Sequence, residues 1–304
     1  MLFTSPKYAI YTAIVGGYDE ISQPAIVDGR FDYILFSNDV QEERVGIWQV
    51  RPIAYNNEDN TRICRYIKTH PEEFLVGYEF SIWIDSNVKI LTPYIYERSI
   101  DLYQQNIQLA SMNHIERNCI YEEAFVVFEH LLEFESIVLN WCQVLRKQKY
   151  PKNNGLFETN VLFRMHTSGV YDFNKLWWSC IVNYSRRDQL SFNYVLWKLK
   201  MSCDYILPYD INTNNSKDFE RISHAKYKNR LIKYNGGVPN LLQYLDKFPL
   251  DREKIKKVYF WIYGLQYPRF WLFIIGYVFR IKSWCKISKK QLKKLLICKS
   301  CFIV

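Results

Sequence analysis

Several features that would assign this chain to a common class are absent from its 304 residues. The N-terminus lacks the basic stretch and apolar run of a secretory signal peptide. The eight cysteines are scattered, and the single CxxC pair, Cys298 and Cys301, has no second pair to complete a zinc site. There is no internal repeat and no low-complexity linker. A cytoplasmic, reducing location is therefore the default expectation.

Most of the chain also lacks an excess of basic residues, although its net charge is +9. Residues 251–304 contain thirteen basic and two acidic residues, a charge of +11, which leaves −2 for residues 1–250. This partition argues against a nucleic-acid-binding groove in the first part, and we expect no nucleic-acid partner. It predicts a domain at 1–250 and a basic tail at 251–304 that contacts an acidic surface, with anionic lipid as the first candidate.

The tail lacks an uninterrupted apolar run of membrane-spanning length. Val258–Phe279 is apolar, but Gln266, Pro268 and Arg269 interrupt it, and neither half crosses a hydrocarbon core of about 30 Å. Lys289–Ile297 then alternates basic and apolar residues. This pattern favours amphipathic helices lying peripherally on the inner face of the plasma membrane, with a single membrane span or a helical hairpin packed on the domain as the alternatives.

What the sequence does contain first is a β-rich run, Tyr8–Val15, that ends at Gly16-Gly17. Such a strand is typical of the opening of an open α/β nucleotide-binding sheet, although the glycine pair is not GxGxxG. Thr12 and Ala13 lie at its carboxyl end, where ligands of such sheets bind, and Tyr18 follows as a candidate to stack on a base.

The remaining patterns predict a mixed α/β fold with helices on both sides of an open sheet. Predicted strands are Phe31–Asp39, Trp48–Val50, Ser81–Ile90 and Thr159–Arg164, and a helix running into a strand is predicted over Leu102–Met112. Predicted helices are Asp59–His70, Tyr121–Arg146, Phe173–Tyr184 and Asp188–Lys200, with a polar loop at Asn212–Lys217.

The most informative stretch is Ser81–Ile90, in which an apolar strand runs into Asp85 and Asn87 and then resumes. In an extended chain, residues two apart point to the same side, so the two oxygens could meet one hard cation. Mg²⁺ or Mn²⁺ held by few protein groups takes its other ligands from substrate phosphates and water. The alternative is an ordinary turn, in which Asp and Asn are common residues.

Two further groups of polar residues are candidates to contact a bound ligand. Arg62, Arg65 and Lys68 recur every three residues and lie near one face of the predicted helix, where they suit a diphosphate or are simply solvated. His114 and Arg117 follow a predicted strand, as a possible metal or sugar ligand and a possible phosphate partner.

Several motifs occur together in one order, and this combination resembles a family of GT-A-fold glycosyltransferases from plants and bacteria, formerly catalogued as a domain of unknown function. The resemblance covers roughly residues 8–230. The motifs are Tyr11–Asp19, Arg62–His70, Trp83–Asn87, His114–Ala124, Gly155–Glu158 and Ser185–Phe192. The resemblance implies a GT-A-like sheet and transfer of a hexose from a nucleotide-diphosphate sugar, for which we expect UDP.

The resemblance also assigns roles to residues. Asp85, Ser86 and Asn87 occupy the acid-x-acid position that holds the metal and diphosphate, with an amide as the second member. Asp188-Gln189 resembles the step that faces the donor sugar in glycogenin-like retaining transferases. Asp188 or Glu158 would be the base of an inverting enzyme, and His224 would be a third metal ligand. Helix capping is the alternative role for Asp188.

These expectations combine into a Mn²⁺- or Mg²⁺-dependent transferase that adds a hexose to a saccharide acceptor. We expect the acceptor to be lipid-linked and to belong to a bacterial surface polysaccharide, an O-antigen or a capsule. The alternative is a non-catalytic, membrane-attached subunit that binds a glycan or a nucleotide. Asn87 is the best support for that alternative, because a neutral amide binds a metal more weakly than a carboxylate.

Overall fold

The computed structural model describes residues 7–129 and 132–223. His224, the predicted boundary at residue 250 and the predicted tail at 251–304 lie outside these residues. Within them, no helix combines the length and apolar character needed to cross a bilayer.

An eight-stranded mixed sheet forms the centre of the described part, in the order β3-β4-β2-β1-β5-β8-β7-β9. Its strands are β1 Tyr8–Ala13, β2 Phe31–Phe36, β3 Arg44–Val45, β4 Trp48–Arg51, β5 Phe80–Ile84, β7 Leu109–Asn113, β8 Phe157–Met165 and β9 Asp204–Tyr205. Two further strands, β6 Val88–Ile90 and β10 Phe219–Arg221, pair antiparallel in a small second sheet.

The strand directions place several carboxyl ends at one edge. β1 runs parallel to β2 and β5, β2 runs parallel to β4, and β8 is antiparallel to both β5 and β7. Every side chain of β1 is buried, as expected for a strand covered on both faces. The mixed α/β sheet predicted from the sequence is confirmed.

Seven helices are described: α1 Asn60–Thr69, α2 Pro71–Phe74, α3 Tyr94–Gln104, α4 Ile120–Glu129, α5 Glu135–Lys147, α6 Ser168–Asn183 and α7 Gln189–Leu199. Helix α1 packs on β1 and α6, and α6 packs on α7. Helix α3 contributes Ile95, Tyr96 and Leu102 to a core that includes Ile10 and Ile82 of the sheet. Asp59 caps α1 by accepting a hydrogen bond from Thr61 N, as its position before the helix suggests.

The prediction of one long helix over Tyr121–Arg146 is wrong, because α4 and α5 are separate. Between them lies Glu133, which is buried and accepts hydrogen bonds from Ser185 Oγ at 3.0 Å and Arg186 N at 3.1 Å. A contact with a segment about fifty residues away along the chain therefore competes with the local tendency to continue the helix.

Candidate active site

Strand β5 ends in a tight turn that presents Asp85 at the edge of the sheet. Asp85 O accepts a hydrogen bond from Val88 N at 2.8 Å, which closes the turn. Asp85 Oδ1 accepts a hydrogen bond from Trp83 Nε1 at 2.7 Å, and the side chain remains 28% exposed. The indole two residues earlier thus holds the carboxylate while leaving it open to solvent.

The turn sends its polar side chains to different partners, so the predicted extended geometry does not form. Asn87 Nδ2 donates to Ile222 O at 3.0 Å, beside the end of β10. Ser86 Oγ donates to Asp19 Oδ2 at 2.6 Å in the loop after β1. Asp85 and Asn87 are turn residues, and the oxygen of the Asn87 amide is the only atom of that side chain that could bind a cation.

Helix α1 brings a buried lysine to this turn. Lys68 Nζ lies 2.6 Å from Asp188 Oδ2 and 3.6 Å from Asp85 Oδ1, and its side chain is 1% exposed. The ammonium group also lies 5.3 Å from the centre of the Trp83 ring and 5.8 Å from that of Trp177. Two carboxylates and two indole faces therefore surround one cation, an arrangement that stabilises a buried positive charge.

Asp188 is the innermost carboxylate of this group, with a side chain 4% exposed. Its Oδ1 forms an ion pair with Arg65 Nε at 3.0 Å, without the alignment of a hydrogen bond, and its Oδ2 accepts a hydrogen bond from Thr159 Oγ1 at 3.0 Å. Burial alone would raise the pKa of Asp188, but the charges of Arg65 and Lys68 outweigh it and hold this pKa well below its ordinary value.

The capping role considered for Asp188 is wrong, since its side chain makes no hydrogen bond to the start of α7. Its backbone carbonyl instead accepts hydrogen bonds from Trp177 Nε1 and from the first turn of the helix. The carboxylate is therefore committed to Arg65, Lys68 and Thr159.

A bulge in β8 contributes the next group of residues. β7 pairs Ser111 with Leu162 but Met112 with Glu158, so three residues of β8 have no counterpart on β7. Ser111 Oγ closes the bulge by donating to Glu158 O at 2.5 Å and to Val161 O at 2.8 Å. Bulges re-aim side chains, and this one turns Thr159 toward Asp188 beside the site.

Glu158 lies at the start of the bulge and is 9% exposed. Its Oε1 accepts a hydrogen bond from Asn212 Nδ2 at 2.6 Å, and its Oε2 accepts one from Asn160 Nδ2 at 3.2 Å. Burial raises the pKa of Glu158, and these two amides and the charge of Arg221 oppose only part of that effect. Glu158 therefore holds a proton more readily than Asp188 does.

Arg62 and Gln189, both among the described residues, make no hydrogen bond or ion pair with Lys68 or Asp188. Arg62 NH1 pairs with Asp59 Oδ2 at 3.1 Å, and Asp59 also pairs with Arg186 at 3.2 Å, so Arg62 faces the beginning of α1 rather than Lys68. Gln189 follows Asp188 directly, and its Nε2 is buried with no hydrogen-bond partner in the described part of the chain.

His114 and Arg117, the latter only partly buried, form a group with a glutamate of α4. Arg117 Nε donates to Glu123 Oε2 at 2.8 Å, and His114 Nε2 lies 3.7 Å from the same oxygen. Burial, and then the charge of Arg117, lowers the pKa of His114, so the imidazole is neutral near pH 7. The group adjoins the site through Glu123, whose charge acts on Glu158.

The donor residues predicted on β1 lie at its carboxyl end. Thr12 and Ala13 are buried, and within residues 7–129 and 132–223 Thr12 Oγ1 has no hydrogen-bond partner. Gly16 follows with φ +71°, and a Cβ there would lie 2.1 Å from Asn60 Nδ2. The side chain of Asn60 could move aside, so it is the positive φ that favours glycine in the loop leading to half-buried Tyr18.

The comparisons with known proteins give a family for the chain. The model of the TOD1/MUCI70 glycosyltransferase-like domain matches residues 3–224. The chain belongs to this family. All the residues of the site described above lie within the matched range.

No curated protein matches this TOD1/MUCI70 family member. Among solved structures it is similar to WbbM, a bifunctional glycosyltransferase in its apo form, with 10% identity and a TM-score of 0.39. The match covers 85% of this chain and 52% of WbbM, so the chain spans about half the length of that protein.

The residues of the family member fit a divalent cation in one limited sense. Among the described residues, no group of three or more His, Cys, Asp or Glu side chains could hold a metal ion. Asp85 and Asn87 supply one carboxylate and one amide oxygen, both hard donors that suit Mg²⁺ or Mn²⁺. Every other ligand of such a cation would have to come from a diphosphate and water.

Sequence reasoning missed several residues that shape this site: Asp19, Trp83, Asn160, Trp177, Asn212 and Thr213. Trp83 and Asp19 lie inside the family motifs, so their position was a usable signal. The other four carry no local signal, because their roles depend on contacts with distant segments.

Proposed function

We propose that the chain is a metal-dependent glycosyltransferase that moves a hexose from a nucleotide-diphosphate sugar, with UDP as the expected nucleotide, to a saccharide. The observation that carries the proposal is the buried group of Arg65, Lys68 and Asp188 behind solvent-accessible Asp85. This group lies where β5 ends, and ligands of α/β sheets bind at such carboxyl ends. Membership of a glycosyltransferase-like family supports the same activity.

In this proposal Asp85 and Asn87 would hold Mn²⁺ or Mg²⁺, and the chemistry the cation would supply is neutralisation of charge on the departing diphosphate. Lys68 fixes Asp85 from behind, because its ammonium lies between the two aspartates and is almost fully buried. Asp188 compensates the charges of Lys68 and Arg65, which lets both cations stay in a site that excludes water. Such preorganised charges stabilise a leaving group without rearranging during the reaction.

Proton transfer falls to Glu158 rather than to Asp188. Asp188 is paired with the two cations Arg65 and Lys68, and its pKa is depressed, so it is a poor proton acceptor. Glu158 has a raised pKa and lies on β8, the strand that pairs with β5. In an inverting reaction Glu158 takes the proton of the acceptor hydroxyl. In a retaining reaction no base is needed there, and Glu158 contacts the sugar instead.

The cellular setting is proposed from the sequence. The charge of +11 in residues 251–304 suits an anionic membrane surface, which favours a peripheral enzyme at the inner face of the plasma membrane. A lipid-linked saccharide on the way to an O-antigen or a capsule is the acceptor that fits this location.

The competing proposal is a non-catalytic subunit that binds a glycan or nucleotide. Asn87 favours it, because its amide nitrogen is tied to Ile222 and its oxygen is a neutral ligand. Metal-dependent hydrolysis of a nucleotide sugar would contradict it. Binding without turnover by the full-length protein would support it.

The proposal is tested by thermal unfolding of the full-length protein with a panel of UDP- and GDP-hexoses, with and without Mn²⁺. A ligand at a hundredfold excess over its Kd stabilises the protein by about 2.7 kcal/mol. We expect Asp85→Ala to lose the Mn²⁺-dependent part of this shift, whereas Asp101→Ala, an exposed aspartate on α3, should retain it. Equal shifts in both variants would contradict the role of Asp85.

A further inference from the structure

Asn160, in the β8 bulge, carries a buried hydrogen-bond acceptor without a partner. The residue is 8% exposed, and its Oδ1 makes no hydrogen bond to any residue that the structure describes. Its Nδ2 donates to Thr213 Oγ1 at 2.7 Å and to Glu158 Oε2 at 3.2 Å. The carboxylate fixes the orientation of the amide, because only the nitrogen can donate to it.

A preformed loop holds this amide in place. Asn212 and Thr213 are each 1% exposed and lie between β9 and β10. Asn212 N donates to Asn215 Oδ1 at 2.8 Å, and Asn212 Oδ1 accepts from Asn214 N at 2.9 Å. Hydrogen bonds within the loop therefore fix its shape, and this shape places Asn212 against Glu158 and Thr213 against Asn160.

The residue that carries this acceptor lies beside the turn at Asp85. Asn160 O accepts a hydrogen bond from Asp85 N at 2.8 Å, so the amide belongs to the residue that pairs with Asp85. Buried polar groups are nearly always hydrogen-bonded, and a buried carbonyl oxygen without a donor points to a ligand that supplies one. Next to a diphosphate site the nearest such donor is a hydroxyl of the hexose, from the donor or from the acceptor.

We propose that Asn160 Oδ1 binds a sugar hydroxyl and that Asn212 and Thr213 are positioning residues that hold Glu158 and Asn160 for this contact. The inference rests on the proposed glycosyltransferase function and names a contact within its site. Asn160 accepts a hydrogen bond from the sugar, whereas Glu158, beside it, remains available to a hydroxyl proton.

The test compares Asn160→Ala with the wild-type full-length protein in two binding measurements, one with UDP and Mn²⁺ and one with the UDP-hexose that the wild type binds best. A contact with the donor sugar predicts unchanged affinity for UDP and about tenfold weaker binding of the UDP-hexose. Thr213→Val removes the hydroxyl that accepts a hydrogen bond from Asn160 Nδ2 but leaves Asn160 Oδ1 in place. It should therefore give a smaller loss of affinity for the UDP-hexose. Asn214→Ala, in the same loop but exposed, is the control.

The second arm supplies methyl glucosides and methyl galactosides as soluble acceptors and measures release of UDP. A contact with the acceptor predicts normal affinity for the UDP-hexose and a KM for the methyl hexoside raised about tenfold in Asn160→Ala. Either pattern supports the inference and identifies the source of the hydroxyl. Equal weakening of UDP and UDP-hexose would overturn it, and so would unchanged affinities in both arms. If the wild-type protein itself binds no nucleotide sugar, the proposed function fails, which is a separate result.

Discussion

Asp188→Asn removes one charge from the most buried ion group of the described residues while keeping the shape of the side chain. Lys68 would then be left with Asp85 at 3.6 Å as its carboxylate partner. The substitution removes the ion pair between Lys68 and Asp188 at 2.6 Å, and the Lys68 ammonium that remains is shielded from water, since its side chain is 1% exposed. The substitution therefore tests whether the charge of Asp188 is needed to keep Lys68 in the site.

The expected loss of stability is large. Breaking a buried ion pair from one side typically costs about 3–5 kcal/mol, because the other charge stays buried without compensation. A helix-capping role would predict almost no loss, since asparagine caps as well as aspartate does. The two roles of Asp188 therefore differ by several kcal/mol in the free energy of unfolding.

Urea unfolding of the full-length protein measures this difference through the transition midpoint and the slope. The matched control is Asp59→Asn, which caps α1 and pairs with Arg62 and Arg186 in a partly exposed position. Asparagine can keep the cap, and pairs near the surface contribute about 1 kcal/mol or less. Adding Lys68→Met to Asp188→Asn should recover part of the loss, because it removes the more deeply buried of the two cations that Asp188 compensates.

The pH dependence has a defined sign. Because the pKa of Asp188 is lower in the folded chain than in the unfolded chain, its stabilisation is present above the ordinary aspartate pKa of about 3.9. It is lost as the pH falls below that value toward the folded pKa. The gap between wild type and Asp188→Asn should therefore shrink below pH 4. A variant within 1 kcal/mol of the wild type at pH 7 would refute this account of Asp188.

Three further predictions concern the turn, the base and the tail. Asn87→Asp should tighten Mn²⁺ binding in calorimetry, yet lower stability by about 1–3 kcal/mol because Ile222 O loses its donor; unchanged metal affinity would remove Asn87 from the site. For an inverting reaction, Glu158→Gln should cut turnover about 10²–10⁴-fold and abolish the acid limb of the pH–rate profile, which should lie above the ordinary glutamate pKa of about 4.3. An unaltered pH profile would exclude Glu158 as base. Removing residues 251–304 should prevent flotation with anionic vesicles at low salt, since each basic residue near such a surface contributes about 1 kcal/mol; equal flotation of the shortened chain would contradict the tail's role.

Local signals predicted much of the fold, because apolar runs and helix periodicity reflect the burial of each element by itself. The spacing of Arg62, Arg65 and Lys68 predicted one helical face, and two of the three do meet at Asp188. Arg62 does not, because it lies one turn after the capping residue Asp59 and pairs with it.

The missing part of the site depends on contacts between distant segments. Lys68 and Asp188 are 120 residues apart in the sequence, and no local pattern predicts that a lysine will be buried against an aspartate. The bulge in β8 is equally hidden, since it depends on how Ser111 of the neighbouring strand bonds to Glu158 and Val161. Asp85 and Asn87 were recognisable as a motif, but their geometry follows the turn rather than the extended strand expected from the period of two.

The central claim is tested most directly by the release of nucleoside diphosphate from a nucleotide sugar in the presence of Mn²⁺. The full-length protein is incubated with each UDP- and GDP-hexose of the panel, without acceptor and then with methyl hexosides. We predict Mn²⁺-dependent release with at least one donor, faster with an acceptor, abolished in Asp85→Ala and unchanged in Asp101→Ala. Absence of release with every donor, or equal release by a folded Asp85→Ala variant, would contradict the account.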